Sequence, residues 1–463
     1  LLARGADLNH RDKYGHTALT QEILSESPSL EVLKQLIELG ADVNASQNLH
    51  ASLGSSRALH VVTTLIEGGA DVNAVDSGGV GPLAVAVSQP QCPTATIEEL
   101  VRAGARIDSV DAKGLTPLLH ASKSGQIEAV KFLLAHGASV AHRDAEGRSA
   151  LHWCCDNGHE ALVPLLVTAG ADVNLPTKAD PKASGGGSRT PLMYAIQKEA
   201  VTRALLKCAP HINAVDAKNC SALMYAIDGY QSSKAKIVEL LLRKGADVRL
   251  SNSDGNTALH RAVKAYQASD LVPILQAAKA DVNATNHAGE TPLMLCRDVE
   301  TMELLVGAGV DVADQVGKTA LIHTVNGYRS GVLPKTKFLL RIKANPNIQD
   351  NEGTTALMIA SRTDDLLKTV GLLVEGGANL DLLDKDGRSA TAHASPENLK
   401  FLIASGAKLN PFEESRLKNA IDDDNLPLAE MLHEPGEFRT FGLGPLAVKI
   451  QAFSQLDRAK AHD

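Results

Sequence analysis

The sequence predicts a mainly α, elongated solenoid of stacked helix-turn-helix units with β-hairpin-like tips, and three observations predict it. The first is self-similarity at a fixed period. A stretch running from Asp111 to Leu118 and closing at His136-Gly-Ala-Ser-Val140 is followed, 33 residues on, by a gap-free second copy from Asp144 to Leu151 that closes at Ala169-Gly-Ala-Asp-Val173. The second is that each copy carries turn and cap chemistry at the same offsets. The third is composition: 44% of residues are hydrophobic but only 3% aromatic. Such a core is built of Ala, Leu, Val and Ile, which suits thin, closely packed layers. A length of 463 residues would otherwise suggest about three ordinary domains, but a solenoid grows by stacking and not by swelling one core.

Each element follows from its residues. Asp-x-x-Gly is a turn, because Asp bonds nearby backbone and Gly takes a positive φ at no steric cost. The Thr or Ser that follows caps a helix, and Pro fits its first turn, where the missing N–H has no helical partner anyway; Thr116-Pro117, Thr190-Pro191 and Thr291-Pro292 show this start. Leu118, Ala121 and Ser122 have the spacing of a buried helical face. A second helix over 128–136 points Val130, Leu133 and Leu134 inward, and Gly137 stops it as the residue just past the helix. The same closing signal recurs at Gly5-Ala-Asp, Gly40-Ala-Asp, Gly69-Ala-Asp, Gly104-Ala, Gly245-Ala-Asp, Gly309-Val-Asp, Gly377-Ala-Asn and Gly406-Ala. Weaker copies stand at Ala209-Pro-His, Lys279-Ala-Asp and Lys343-Ala-Asn. Together these signals give about 12 full repeats over residues 1–432, with a 433–463 tail whose Leu446, Ile450, Phe453 and Leu456 suit a capping helix.

These residues resemble the ankyrin repeat, whose signature includes T-P-L-H-x-A and a closing G-A-D-V-N. The clearest copy is Ser149-Ala-Leu-His152-Trp153, closing with Gly170-Ala-Asp-Val-Asn174. The resemblance implies the solenoid fold and a protein-binding role, and it matches Asn44, Asn73 and Asn174 to positions that are hydroxylated in eukaryotic ankyrin repeats. Some copies depart from it. The segment 45–73 is short and lacks the Asp-x-x-Gly turn, and 176–189 carries an insertion containing Gly185-Gly-Gly-Ser188, read as a flexible loop. The repeats near Tyr230 and Tyr328 have longer helix–helix connections.

The bulk numbers narrow the function classes. A formal net charge of -8 repels phosphates on average and argues against a nucleic-acid partner. Six cysteines without a C-x-x-C pair read as reduced thiols and point to the cytoplasm. No apolar run is long enough to span a bilayer, so no membrane insertion is expected. A monomeric array is expected. The chain opens with Leu1 inside a repeat, so the natural N-terminus is expected upstream.

Four motifs invite chemistry, and each has a plainer reading. Gly317-Lys318-Thr319 ends like a phosphate-binding loop, but the first glycine of that motif would fall on Val312, and the triplet is in register with tip and helix start. Gly442-x-Gly444-x-x-Ala447 fits a loose dinucleotide fingerprint without the preceding strand. His152, Cys154, Cys155 and His159 suggest zinc, yet residues 154 and 155 diverge by about 100° on a helix. Asp422-Asp423-Asp424-Asn425 lacks the central Gly of a calcium loop and suits a helix N-terminus. No cofactor, metal site or catalytic set is expected, and the chain is read as not an enzyme.

The face that carries function is geometric. The residue two beyond the core Leu of each first helix points about 200° away from it, toward the concave groove of ankyrin-like arrays. Read copy by copy, that position holds Gln21, Val85, His120, Trp153, Tyr194, Tyr225, Arg261, Leu295, His323, Ile359 and His393. The chain has one Trp and six Tyr, and three of those seven fall here in consecutive repeats. Surface aromatics and Arg dominate binding energy at interfaces, so His120, Trp153, Tyr194, Tyr225 and Arg261 are expected to contact a partner protein. The neighbouring tip residues Lys113, Leu115, Arg148, Lys218 and Glu290 are expected to contribute. The alternative is a targeting arm of a larger enzyme, toxin or effector whose catalytic domain lies outside these residues.

Overall fold

A computed structural model describes residues 7–54, 58–179, 187–230, 233–327 and 331–409. The expected capping helix at 445–461, the acidic run 422–425, the Gly442-x-Gly444 motif, the array boundary at 432 and residues 180–186 of the glycine-rich insertion lie outside the described residues. So do Gly5 and Tyr328.

The chain divides into two compact units, 1–247 and 248–463. Among the described residues the first unit holds seven pairs of helices, from Ala18–Ile23 with Leu30–Glu38 to Ala222–Asp228 with Lys234–Arg243. The second holds five pairs, from Ala258–Ala262 with Ala268–Ala277 to Ala390–His393 with Pro396–Ala404. In each unit the first helices stack on first helices and the second on second, burying a row of leucines. Leu83, Leu118, Leu151 and Leu192 form that row in the first unit, and Leu259, Leu293, Leu321 and Leu357 in the second; none is more than 2% exposed. Each such side chain contributes about 1.5–3 kcal/mol by leaving water.

The repeat read at 111–140 forms as expected. Thr116 caps Pro117–Ser124 and accepts from the Leu119 N–H at 3.4 Å, and the second helix is Ile127–Ala135. Ala129, Val130 and Leu133 are buried in it, whereas Leu134 is half-buried at its edge. Gly137 ends it with φ +85°. Where glycine is absent at this position, Ala209, Lys279 and Lys343 adopt the same left-handed backbone at φ 51°, 64° and 68°. The closing glycine near residue 309 is instead Gly307, at φ 98°. The copy reads Gly307-Ala-Gly-Val-Asp311, with Gly309 where its relatives carry Asp.

Other departures have local causes. Segment 45–73 replaces its tip by a short 3-10 turn, Ala45–Gln47, whose Gln47 takes φ 55° and leads into Asn48–Ser52. The copy at 286–311 has a 3-10 turn, Pro292–Leu295, as its first helix, because Asp298 caps the next helix only three residues after Leu295. The tips pair as isolated bridges, such as Val215 with Ser221 and Ser251 with Thr257.

Candidate functional site: the tip and first-helix face

Most tips are held by an aspartate, and Asn252 and Asn286 take its place in two copies. Asp144 Oδ1 accepts from the backbone N–H groups of Glu146 and Arg148 at 3.0 and 2.8 Å, and Asp111 does the same for Lys113 and Leu115, both at 2.8 Å. Successive tips then join backbone to backbone. Ala112 N–H donates to Gly78 O at 2.9 Å, Ala145 to Lys113 at 3.0 Å and Lys178 to Glu146 at 2.9 Å. In the second unit Gln315 donates to Ala288 at 3.0 Å and Asn351 to Val316 at 2.9 Å. This proximity is why glycine is needed at the turn: Gly147 has φ +81°, and a Cβ there would lie 2.6 Å from the Lys178 backbone nitrogen.

The closing Asn or Asp clasps the next repeat. Asn73 Oδ1 accepts from Arg106 N–H at 2.9 Å while its Nδ2 donates to Gly104 O at 3.1 Å. Asn213 does the same with Asp247 and Gly245, at 2.8 and 3.1 Å. Asn44 and Asn174 accept from Asp71 and His211 at 2.8 and 2.6 Å.

The groove-facing position has a second role that the sequence reading missed. Nine residues after the tip aspartate, its side chain donates back to that carboxylate. Gln21 reaches Asp12 at 2.8 Å, His120 reaches Asp111 at 3.0 Å, the Trp153 indole N–H reaches Asp144 at 3.1 Å, and the Tyr225 hydroxyl reaches Asp216 at 2.5 Å. In the second unit His323 reaches Asp314 and His393 reaches Asp384, both at 2.8 Å. The signal was present as Asp followed nine residues later by a side-chain donor. Val85 and Ile359 stand there without one.

The expected site residues therefore separate. Trp153 is 8% exposed and is a packed, hydrogen-bonded ring, not the open aromatic that was expected. Leu115 is 3% exposed and is a core residue, its backbone N–H held by the Asp111 carboxylate at 2.8 Å. Arg148, at the same offset in the next copy, instead lays its guanidinium 3.7 Å from the Trp153 ring centroid and bonds Asp144 at 2.9 Å, with Glu146 on its other side. Lys123 lies over the same ring at 4.7 Å, and Arg189 over the Tyr225 ring at 4.5 Å. Lys113 and Lys218 are exposed; His120, Tyr194 and Tyr225 are half-buried. Glu290 and Arg261 belong to the second unit, where both are half-buried and Arg261 N–H donates to Thr257 O at 3.3 Å.

Burial sets the charge states. It holds His120 below the usual histidine value against the pull of Asp111. It lifts the phenols of Tyr194 and Tyr225, with the Asp216 bond adding to the rise at Tyr225. His152 is fully buried and lowered to about 4 by desolvation. Its Nδ1 accepts from the Ser149 N–H at 3.1 Å, and its Nε2 faces Arg189 O at 3.1 Å. His260 repeats this with Thr257 and Glu290, at 3.2 and 3.0 Å. In the zinc-like cluster Cys154 Sγ donates to His159 O at 3.0 Å, and His159 Nε2 faces Lys123 O at 2.9 Å. Among the described residues no group of three or more His, Cys, Asp or Glu is placed to hold a metal ion. Gly317-Lys318-Thr319 is a repeat tip: Gly317 has φ +80° and Thr319 caps Ala320–Asn326.

The fold and its clamped tips define a helical repeat array. A family profile of ankyrin repeats in three copies matches residues 83–177, 175–252 and 328–413, and a second ankyrin-repeat profile matches 240–296. The chain belongs to the ankyrin-repeat family. It is 28% identical over 250 residues to the putative palmitoyltransferase ZDHHC13 of Danio rerio, covering 53% of this chain and 32% of that protein. It is 30% identical over 240 residues to palmitoyltransferase Hip14 of Drosophila melanogaster, covering 43% of this chain and 35% of that one. The chain thus spans about a third of the length of these relatives. The solved ankyrin-repeat domain of Bcl-3 is similar at 27% identity and a TM-score of 0.43, over 50% of this chain and 99% of that one. No helix among the described residues is long and apolar enough to cross a membrane.

Proposed function

We propose that this chain is a protein-binding array whose recognition surface includes the tips and first helices over residues 111–230. The observation that carries the reading is the set of cations held over aromatic rings: Arg148 and Lys123 on the buried Trp153, and Arg189 on the half-buried Tyr225. A guanidinium or ammonium already held on a ring loses less freedom on binding than a free one, and Arg is among the residues that dominate interface energy. The rings anchor this surface from below, and the cations and the half-buried Tyr194 meet the partner. In the second unit Arg261 is assigned the same role. The chain is read as monomeric and without catalysis of its own. Its six cysteines, four of them buried, fall in no C-x-x-C pair and support a reducing compartment, and we place it in the cytoplasm.

A photocrosslinker placed in turn at Lys113 and Lys123, and at Lys131 and Lys236 on second helices, tests this. One partner captured from the first pair and absent from the second is expected. Equal capture from all four, or capture from the second helices alone, overturns it.

A second reading has its own support. Two relatives are named palmitoyltransferases, and the chain covers 32% and 35% of them. The array then serves as the recognition arm of a longer enzyme, and sequencing the flanking reading frame decides that directly.

A further inference from the structure

We infer that a cleft between residues 72–83 and 106–110, at the base of two tips, receives a neutral apolar side chain of the partner protein. The inference rests on the recognition reading above and adds an anchor site at the edge of that surface.

Two residues open the cleft. Gly81 stands at a helix start where other copies carry a capping Thr, such as Thr17, Thr116 and Thr319. It has no side chain to cap Pro82–Ser88, and a Cβ there would meet only the Ser109 hydroxyl, at 4.0 Å. Ser109 is the second residue. One copy on, its place is taken by His142, whose Nε2 faces the Gly114 carbonyl at 2.9 Å, and the place of Gly81 is taken by the fully buried Thr116. With both side chains shortened, a cavity of about 500 Å3 remains. That lies within the roughly 300–1,000 Å3 of pockets that bury small ligands. It is room for a side chain and too little for a folded segment.

The lining sets the chemistry. Val72 and Leu83 are buried against the cleft, at 7% and 2% exposed, whereas Val75 and Val110 flank it at 56% and 53%. Covering these two valines with an apolar group is favourable, because it takes apolar surface out of water. The lining holds one charge of each sign, Arg106 and Asp108. Asp108 already accepts from the Ser139 N–H at 3.1 Å. The pair favours neither an anion nor a cation, so the occupant is neutral. The Asn73 amide is taken at both ends, by Arg106 N–H and Gly104 O.

Position sets the source. Val110 immediately precedes the tip aspartate Asp111, and that tip is joined to the one at 76–79 by Ala112 N–H donating to Gly78 O at 2.9 Å. The cleft therefore borders the surface proposed above. Stacked copies lie about 8–10 Å apart, so a partner chain leaving the 111–114 tip reaches the cleft within about three extended residues. An apolar anchor seated in a pocket beside polar contacts is where interface energy concentrates.

The test is a titration of the full chain, carrying 13C at its valine methyls, followed by NMR. The probes are acetyl-Gly-Gly-Phe-Gly-Gly-amide, its counterpart with Gln in place of Phe, and toluene as the side chain alone. The expected result is saturable ring-current shifts of the Val75 and Val110 methyls by the Phe peptide, with a Kd on the order of 1 mM. The Gln peptide should bind at least about tenfold more weakly. Gly81→Thr and Ser109→His each copy the next repeat, so both should keep the wild-type thermal midpoint or raise it. Loss of Phe-peptide binding by about tenfold in either folded variant is expected. No saturation by about 20 mM peptide, equal binding of the Gln peptide, or unchanged binding in both variants overturns the inference. Tighter binding of toluene than of the Phe peptide also overturns it, because the cleft then suits a free small molecule and not a chain. Capture from Lys113 and Lys123 without Phe-peptide binding leaves the recognition reading standing and sinks this one alone. Phe-peptide binding without that capture sinks the recognition surface and leaves the cleft.

Discussion

Acidification tests the packing around His152 directly. The native ring is buried, its Nδ1 occupied by the Ser149 N–H and its Nε2 facing the Arg189 carbonyl, and desolvation lowers it from 6.5 to about 4. In the unfolded chain it returns to about 6.5. Above pH 6.5 both states are neutral and the stability is fully present. As pH falls from 6.5 toward 4 the unfolded chain binds a proton that the native state refuses, so stability is lost over that window. The loss attributable to this residue is about 2 kcal/mol by pH 5 and about 3 kcal/mol at pH 4 and below. Trp153 is the chain's one tryptophan and the next residue along, so its emission reports unfolding of this repeat. Urea titrations at pH 7 and pH 5 should show wild type losing about 2 kcal/mol more than His152→Met, the substitution that copies Met193, Met224 and Met294 at the same repeat position. A native His152 13C resonance titrating near its ordinary value, or an identical pH loss in the variant, would refute the reasoning.

Four further outcomes are expected. Gly147→Ala should cost about 2–3 kcal/mol, because its Cβ meets the next tip at 2.6 Å, whereas Gly40→Ala, with a similar φ and open space around it, should cost about 1 kcal/mol; equal shifts in thermal midpoint would contradict the tip packing. Lys279→Gly should stabilise the second unit by about 1 kcal/mol by relieving a left-handed backbone at φ 64°, read as a higher urea midpoint followed by circular dichroism. Asp144→Ala removes two turn bonds, the Arg148 pair and the indole bond, and should cost about 2–4 kcal/mol with red-shifted Trp153 emission; unchanged emission would argue against the indole bond. In thiol titration Cys92 and Cys208, both half-buried, should react before Cys154, Cys155, Cys220 and Cys296, which are buried. Burial holds Cys296 up at about 12, so its fast labelling in the native state would contradict that burial.

The repeat was legible because its signals are local. Turn aspartates, cap threonines and closing glycines act within a few residues, and so the copy at 111–140 could be drawn before its coordinates. Gly309 was misplaced by two positions because Gly307-Ala-Gly-Val-Asp311 offers two glycines and only the backbone distinguishes them. The site was less legible because exposure is a property of neighbours. Trp153 points out of its own helix, as the geometry of a helix requires, but Arg148, Lys123 and the Asp144 carboxylate close over it from the tip and the preceding repeat. Leu115 shares an offset with Arg148, yet Leu115 is buried and Arg148 half-buried. The nine-residue pairing of aspartate and donor accounts for Trp153, whose indole N–H serves the fold.

The asparagine clasps and tip amides join each repeat to its immediate neighbour. Within either unit, tension applied at the chain ends therefore loads these links in series, and the weakest yields while the others remain intact. Each 33-residue copy that peels away releases about 110 Å of slack, so extension proceeds as a staircase of small steps and recoils along the same stairs when the load is removed.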